Sequence, residues 1–334
     1  MVNIIKISNV TPEEWAQVHE FNRNLTEEFL QQEHLSKKTI GQYRSTLQIF
    51  FRWVMQHDQN RPLHELKPRS ALRYQNWLLS TGLGYSGVKL KRSAVSSICQ
   101  YLELYLGEEY PMFRNIFNKG VPNAARSTVH EKVPLTKDEF DLLVEKLTET
   151  KQWQILCFLM MAYSSASRRE ELRQLRKEIS TYEKVPGKTY YKAHEVRAKG
   201  KGSVGVRRCM AYDEKTMQVI KKWLEVRGDD DCPYLFVRKQ KNGKTTQLSA
   251  STFNAWCSDI LSPLIGGKRL FPHLLRSTRA THVVTVEGKD INAVKQLLGH
   301  KDSKTSEIYV VRDESSDMDT LFDDETESTP QEAR

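Results

Sequence analysis

The chain has 334 residues, of which 39% are hydrophobic and 28% charged, enough apolar material for packed cores and too much for a disordered chain. No run approaches ~18 consecutive apolar residues, which excludes a membrane-spanning helix on sequence, and MVNIIKISNVTPEEW does not carry the basic-then-apolar pattern of a secretory leader. Net charge is +9, but residues 313–334 hold nine Asp/Glu and one Arg, so the rest of the chain carries 50 Lys/Arg against 33 Asp/Glu, a net of +17. That balance suits a polyanionic partner, nucleic acid first, or else a plain basic protein without one. Five cysteines, at 99, 157, 209, 232 and 257, are odd in number and scattered. They form neither a disulfide framework nor a metal-ligand spacing, and a reducing cytoplasm is the expected compartment.

Pro12 after Thr11 opens a short helical pattern through Trp15, Val18 and Phe21, and Leu25, Phe29 and Leu30 suit another. Ser36 is placed to cap a longer helix, in which Ile40, Tyr43, Leu47, Phe50, Phe51 and Val54 recur at helical spacing. Lys37, Lys38, Gln42, Arg44 and Ser45 share its opposite face. Two more helices are predicted, over about Pro68–Leu79 and Tyr85–Leu104. The second starts basic, with Lys89, Lys91 and Arg92, and then turns apolar through Val95, Ile98, Tyr101, Leu102 and Leu104. Residues 1–118 therefore read as an all-α domain.

Residues 119–134, KGVPNAARSTVHEKVP, have no apolar period and two prolines, and form the expected linker. Thr136 and Glu139 make a capping box ahead of FDLLVEKL and open a second domain, 135–312. Trp153 to Tyr163 is almost entirely apolar and predicts a buried helix. Between Thr189 and Tyr212 the chain becomes Gly-rich and basic, which reads as two or three short strands with a tight turn. Helices are expected again at Thr216–Val226, Ser251–Leu261, His273–Val286 and from Asp290 to Gly299, a glycine stop. The expected fold class is mainly α with a small β-sheet. The acidic tail, 313–334, carries few order signals, although Met318, Leu321 and Phe322 would share one face of a short helix.

Phosphodiester chemistry needs fixed positive donors around the phosphate oxygens, where charge develops in the transition state. Arginine meets that need without a metal, because its planar fork is always charged and fits phosphate bidentately. A nucleophile and an acid for the leaving oxygen complete the set. Arg168, in ASRREEL, directly follows the apolar helix. His273 and Arg276 stand three apart in HLLR, on one face if helical. His300 follows the helix-ending glycine in LLGH, Tyr309 lies nine residues further on, and Lys199 and Lys201 sit in the basic turn.

The string PHLLRSTRATHVV, followed by LLGH and then Tyr309, with ASRREEL as an earlier box, resembles the tyrosine recombinase (lambda-type integrase) family, which includes the Xer and Cre recombinases. The resemblance spans roughly residues 20–312. It implies a helical, SAM-like core-binding bundle followed by an α+β catalytic domain. It further implies that Tyr309 attacks the scissile phosphate to give a 3′-phosphotyrosine, with Arg168 and Arg276 clamping the phosphate. Lys201 would be the general acid, with Lys199 as the alternative, because the strand arginine, Arg207 or Arg208, comes later than in the family pattern. His273 would exchange the proton of Tyr309, His300 would bond the phosphate or orient the site, and Glu171 would brace Arg168. Neither metal nor ATP is called for, and strand exchange would pass through a Holliday junction in a homotetramer on synapsed double-stranded DNA. Accessory DNA-bending or directionality proteins are further candidate partners, in a cytoplasmic, nucleoid-associated setting of a bacterium or phage.

This sequence departs from the family pattern at Ala166, where glycine is usual, at Leu274, where Asp is common, and at Ser277, where many members carry a second His. With only about twenty residues ahead of the first bundle helix, a separate arm-binding domain is not expected. The family implies a DNA face built from Lys37, Lys38, Arg44, Lys89, Lys91 and Arg92. The tail would be either a solubilising segment or a helix docking on a neighbouring subunit through Met318, Leu321 and Phe322. DNA relaxation of the type IB topoisomerase kind and a catalytically inactive DNA-binding protein are the alternative functions.

Overall fold

The computed structural model describes residues 7–117, 121–125, 133–198, 205–299 and 310. Their contacts divide them into two compact units, one made of the described residues up to 125 and one of those from 133 on. Among the described residues no helix is long and apolar enough to cross a membrane, and all five cysteines are unpaired thiols.

The first unit is all helix: α1 (Pro12–Gln17), α2 (Glu20–Leu30), α3 (Lys37–His57), α4 (Pro68–Ser80) and α5 (Tyr85–Tyr105). Its starts are written in the sequence. Thr11 and Glu14 close a capping box on α1, and the Ser36 side chain accepts the Thr39 N–H at the head of α3. The apolar stripe of α3, Leu47, Phe50, Phe51 and Val54, is fully buried against Val88, Val95, Ile98, Cys99 and Leu102 of α5 and Tyr74 and Leu78 of α4.

The second unit is built around α7 (Trp153–Ser164), whose residues from Ile155 to Ala162 are all buried. Packed on it are α6 (Lys137–Glu149), capped by the expected Thr136–Glu139 box, and α9 (Glu214–Arg227). Between them runs α8 (Arg169–Leu172) and one long hairpin of four short strands: β1 (Tyr191–Lys192), β2 (Val196–Ala198), β3 (Val206–Arg208) and β4 (Ala211–Tyr212). β1 pairs antiparallel with β4, and β2 with β3 in the register Val196↔Arg208, Arg197↔Arg207 and Ala198↔Val206. The strand count exceeds the expected two or three because the ladder is interrupted midway, where the Ala193 N–H still donates to the Met210 carbonyl at 2.8 Å.

A second hairpin, β5 (Val237–Lys239) and β6 (Thr245–Gln247), was not anticipated by the sequence reading. Its Asn242-Gly243 turn, with Gly243 at φ +80°, is a recognised hairpin signal. α10 (Ala250–Ala255) continues through a π-pitched stretch, Trp256–Leu261, into α11 (Ser262–Leu264). The unit closes with α12 (Pro272–Thr285) and α13 (Ile291–Leu298), the latter capped by Asp290 and stopped by Gly299 in the left-handed conformation. Ala166, Ala280, Val283, Val294 and Leu298 form a small separate apolar cluster that joins the end of α7 to α12 and α13.

Candidate active site

The segment from Ser165 to Glu171 turns sharply as α7 ends. Ala166 carries a φ of +46°, a left-handed conformation that favours glycine, and its side chain is fully buried in the small cluster. The methyl group therefore has a packing role that offsets the backbone strain. The turn presents Arg168 ahead of α8, with its side chain 27% exposed. Glu171, only 1% exposed, holds that arginine twice: one carboxylate oxygen accepts the Arg168 backbone N–H at 3.1 Å, and the other accepts its guanidinium at 3.0 Å.

Arg208 of β3 approaches from the other side. Its Nε lies 3.7 Å from the Glu171 carboxylate, and its terminal nitrogens donate to the Leu298 carbonyl at 2.7 Å and the Ser165 carbonyl at 3.3 Å. Burial pushes the Arg208 pKa down, Glu171 pulls it up, and the neighbouring Arg168 lowers it further.

Arg276 of α12 has no exposed surface. It donates to the Ala166 carbonyl and, at 2.9 Å, to the Leu298 carbonyl. Hydrogen bonds, with one ion pair between Glu171 and Arg208, thus connect Arg168, Glu171, Arg208, the carboxyl end of α13, Arg276 and the turn at Ala166. These residues span more than 130 positions in the chain and meet in one place.

His273 stands exposed in the first turn of α12, three residues ahead of Arg276. The departures from the family pattern fall on structural positions. Leu274 is buried in the main core of the unit, and the Ser277 hydroxyl donates to the His273 carbonyl at 3.4 Å. Further along α12, His282 accepts or donates at Nδ1 with the Tyr163 hydroxyl (2.8 Å), while its Nε2 donates to the Leu135 carbonyl (2.7 Å). Burial holds its pKa below the ordinary histidine value, partly countered by the bond to Leu135. It ties the start of the unit to the helix that carries His273 and Arg276.

Lys199, Lys201, His300, Tyr309, Met318, Leu321 and Phe322 lie outside the described residues. Of the six residues expected on a DNA face, Lys37, Lys38 and Lys89 are exposed, Arg44 is half-buried and paired with Glu27, and Lys91 is half-buried, with its pKa lowered by that burial.

The expectation for Arg92 is corrected. It is 9% exposed, and its guanidinium donates to the Pro122 carbonyl (2.7 Å), the Val121 carbonyl (3.1 Å) and the Gln75 side chain, while stacking over Phe117. Arg92 braces the end of the first unit because it shares the apolar stripe of α5 with Val88, Val95, Cys99 and Leu102, at helical spacing. That spacing was the available signal.

Sequence reading also passed over the exposed cations of the β5–β6 hairpin, Arg238, Lys239 and Lys241, which border a shallow groove with Ser249 and Thr252. Among the described residues no group of His, Cys, Asp and Glu is arranged to hold a metal ion.

Comparison with known proteins agrees with this architecture. The phage integrase family matches residues 134–315, and the phage integrase N-terminal SAM-like domain matches residues 24–104. The chain belongs to the phage integrase family, the tyrosine recombinases, enzymes that cut and rejoin DNA.

It is 34% identical over 323 residues to the SPbeta prophage-derived recombinase-like protein YomM of Bacillus subtilis (strain 168), covering 95% of this chain and 96% of that one. It is 30% identical over 245 residues to tyrosine recombinase XerA of Thermococcus onnurineus, covering 73% and 77%. Its fold resembles XerH site-specific recombinase bound to a palindromic difH substrate, with a TM-score of 0.67 at 15% identity over 95% of this chain and 97% of that one. It also resembles the Tn1549 transposon integrase in complex with a circular intermediate DNA, with a TM-score of 0.66 at 14% identity over 90% and 98%.

Proposed function

We propose that this protein is a site-specific recombinase that breaks and reseals DNA through a 3′-phosphotyrosine. The observation that carries the reading is the bonded set joining Arg168, Glu171, Arg208 and Arg276, which gathers two phosphate-clamping arginines from distant parts of the chain around one turn. Two guanidinium groups held by carbonyls and a buried carboxylate put fixed positive charge beside one turn, where it would stabilise a developing phosphorane charge. Arg276 has no exposed surface, so a DNA phosphate reaches it only when the chain around it rearranges.

In this reading the Tyr309 oxygen attacks phosphorus, and its proton passes to His273. The new bond is from the phenolic oxygen to phosphorus, and the bond from phosphorus to the 5′ oxygen breaks. Lys201, or Lys199, gives its proton to that oxygen. Arg168 and Arg276 hold the non-bridging oxygens, His300 bonds the phosphate or orients the site, and Glu171 keeps Arg168 in place. The bond energy stays in the phosphotyrosine, so neither ATP nor metal is required. The 5′ hydroxyl of a partner strand then attacks, and exchange proceeds through a Holliday junction in a homotetramer on synapsed sites.

Residues 1–118 are the core-binding domain, 119–134 the linker, 135–312 the catalytic domain, and the acidic tail docks on a neighbouring subunit through Met318, Leu321 and Phe322. Lys37, Lys38, Arg44, Lys89 and Lys91 face DNA. The setting is the cytoplasm of a bacterium or phage-infected cell, on the nucleoid, with accessory DNA-bending or directionality proteins as partners.

A nicked suicide substrate tests the chemistry. The wild-type chain should trap DNA covalently, and Tyr309→Phe should not; covalent capture by Tyr309→Phe refutes the nucleophile. Supercoil relaxation without exchange between two sites would point instead to a topoisomerase.

A further inference from the structure

Gln174 lies on the turn that follows α8, six residues beyond Arg168 and three beyond Glu171. Its side-chain amide makes three bonds. Nε2 donates to the Glu170 carbonyl at 2.7 Å and to the Arg197 carbonyl at 2.9 Å, and Oε1 accepts the Arg197 backbone N–H at 2.9 Å. A side chain that takes both backbone groups of one strand residue behaves as a single added strand position on the outer edge of β2. A two-strand ribbon is marginal alone and slips easily in register, so an outside tether of this kind fixes where its far end lies.

The other strand is fixed to the same place. Arg208, opposite Val196 in the ladder, is bonded to the Ser165 and Leu298 carbonyls. The strands close tightly where they approach residues 199–204. Gly205 has a φ of +73°, and a Cβ there would come within 2.5 Å of the Arg197 Nε. Both arms of the basic hairpin are therefore bonded to the short segment 165–174, the segment that also presents Arg168. Gln174 touches neither Arg168 nor Arg276 in the described bonds, so its effect on the reaction runs through the hairpin.

We propose that Gln174 is a positioning residue: it holds the basic hairpin in register against the Arg168 turn and so sets the reach of the lysine acid to the departing 5′ oxygen. The proposal rests on the reading above, in which a hairpin lysine protonates that oxygen as the bond from phosphorus to the 5′ oxygen breaks. If β2 slips while β3 stays anchored through Arg208, the oxygen must leave as an alkoxide, while attack by the tyrosine and clamping by the arginines are unchanged. A sulfur in place of that bridging oxygen removes the requirement, because a thiol, with a pKa of about 8.5, departs as thiolate without a proton.

The experiment compares cleavage rates on two suicide substrates, one with the normal 5′ bridging oxygen and one with sulfur there, for the wild-type chain, Gln174→Ala and Gln174→Glu. Gln174→Glu keeps the length and the acceptor and loses both N–H donors. General acid catalysis contributes about a hundredfold or more, and a displacement of about 1 Å is enough to forfeit much of it. Both variants should cleave the oxygen substrate on the order of tenfold to a hundredfold more slowly, and the sulfur substrate within about twofold of wild type, with DNA binding unchanged. Equal slowing on both substrates, or an unchanged rate on the oxygen substrate, overturns the role of Gln174 and leaves the recombinase reading standing. A wild-type chain that cleaves neither substrate overturns the recombinase reading, and the proposal with it.

Discussion

Glu171→Gln removes one charge and almost no volume from the centre of the site. The carboxylate is 1% exposed, takes two bonds from Arg168, and lies 3.7 Å from the Arg208 guanidinium. A glutamine in its place keeps one acceptor and turns an N–H toward one of those donors, so the two arginines face each other with no anion between them. Removing one partner of a buried ion pair typically costs about 3–5 kcal/mol. Water reaches Arg168 (27% exposed) more than Arg208 (13% exposed), which screens part of the repulsion. The expected loss is therefore about 2–3 kcal/mol. For a unit of this size that corresponds to a fall in Tm of roughly 5–10 °C. Thermal unfolding by circular dichroism and urea unfolding by tryptophan fluorescence measure it directly, and a suicide-substrate assay should show cleavage falling while DNA binding persists. If Glu171→Gln unfolds within roughly 0.5 kcal/mol of wild type, the carboxylate does not neutralise these arginines and the electrostatic account of the site is wrong.

Ala166→Gly should be near neutral, since relief of the left-handed backbone (about 1–2 kcal/mol) is offset by glycine entropy and the loss of a buried methyl. Ala166→Val should lose about 2 kcal/mol or more, and a urea titration showing Val as stable as Ala would refute the strain at this turn. Arg92→Ala should lower the stability of the first unit by about 2–3 kcal/mol, because the Val121 and Pro122 carbonyls lose their donor. Lys37→Ala should instead leave stability unchanged and reduce the slope of log affinity against log salt by about one, so swapped outcomes would reverse the two assignments. Burial depresses the His282 pKa in the folded chain, so the folded state binds fewer protons than the unfolded one, and stability is lost as pH falls from about 6.5 toward the folded value. His282→Gln should flatten that part of the unfolding profile, leaving the slope from His64, which burial also depresses. An unchanged slope would mean that His282 is not held neutral.

Much of this fold is written in local signals. The caps at Ser36, Thr136 and Asp290 and the stop at Gly299 fall where short-range chemistry puts them: each cap is a side chain accepting the backbone N–H three positions on, and the stop is a glycine in the left-handed conformation. The candidate site residues Arg168 and Arg276, which the fold brings into one bonded set, were legible through their motif, as was His273. Their supports were not. The partners of Arg208 come from Ser165, Glu171 and Leu298, and those of Gln174 from Glu170 and Arg197, pairings that exist only once the chain has folded. Arg92 was misread for a different reason. A basic run at the head of a helix looks like a solvated face, yet every fourth position turns inward, and Arg92 occupies one of them. The β5–β6 hairpin was missed although its Asn-Gly turn is explicit, because the flanking strands are only three residues each and too polar for an alternating pattern to stand out.

The Leu298 carbonyl accepts from Arg208 at 2.7 Å and from Arg276 at 2.9 Å, and it sits at the negative end of α13. Two guanidinium groups on different elements thus share one oxygen as a common hub. Unwinding the last turn of that helix would take one acceptor from both cations at once, leaving Arg276 on the Ala166 carbonyl and Arg208 on the Ser165 carbonyl and Glu171. A disturbance at that single helix terminus is therefore felt by both arginines together, although they lie far apart along the chain.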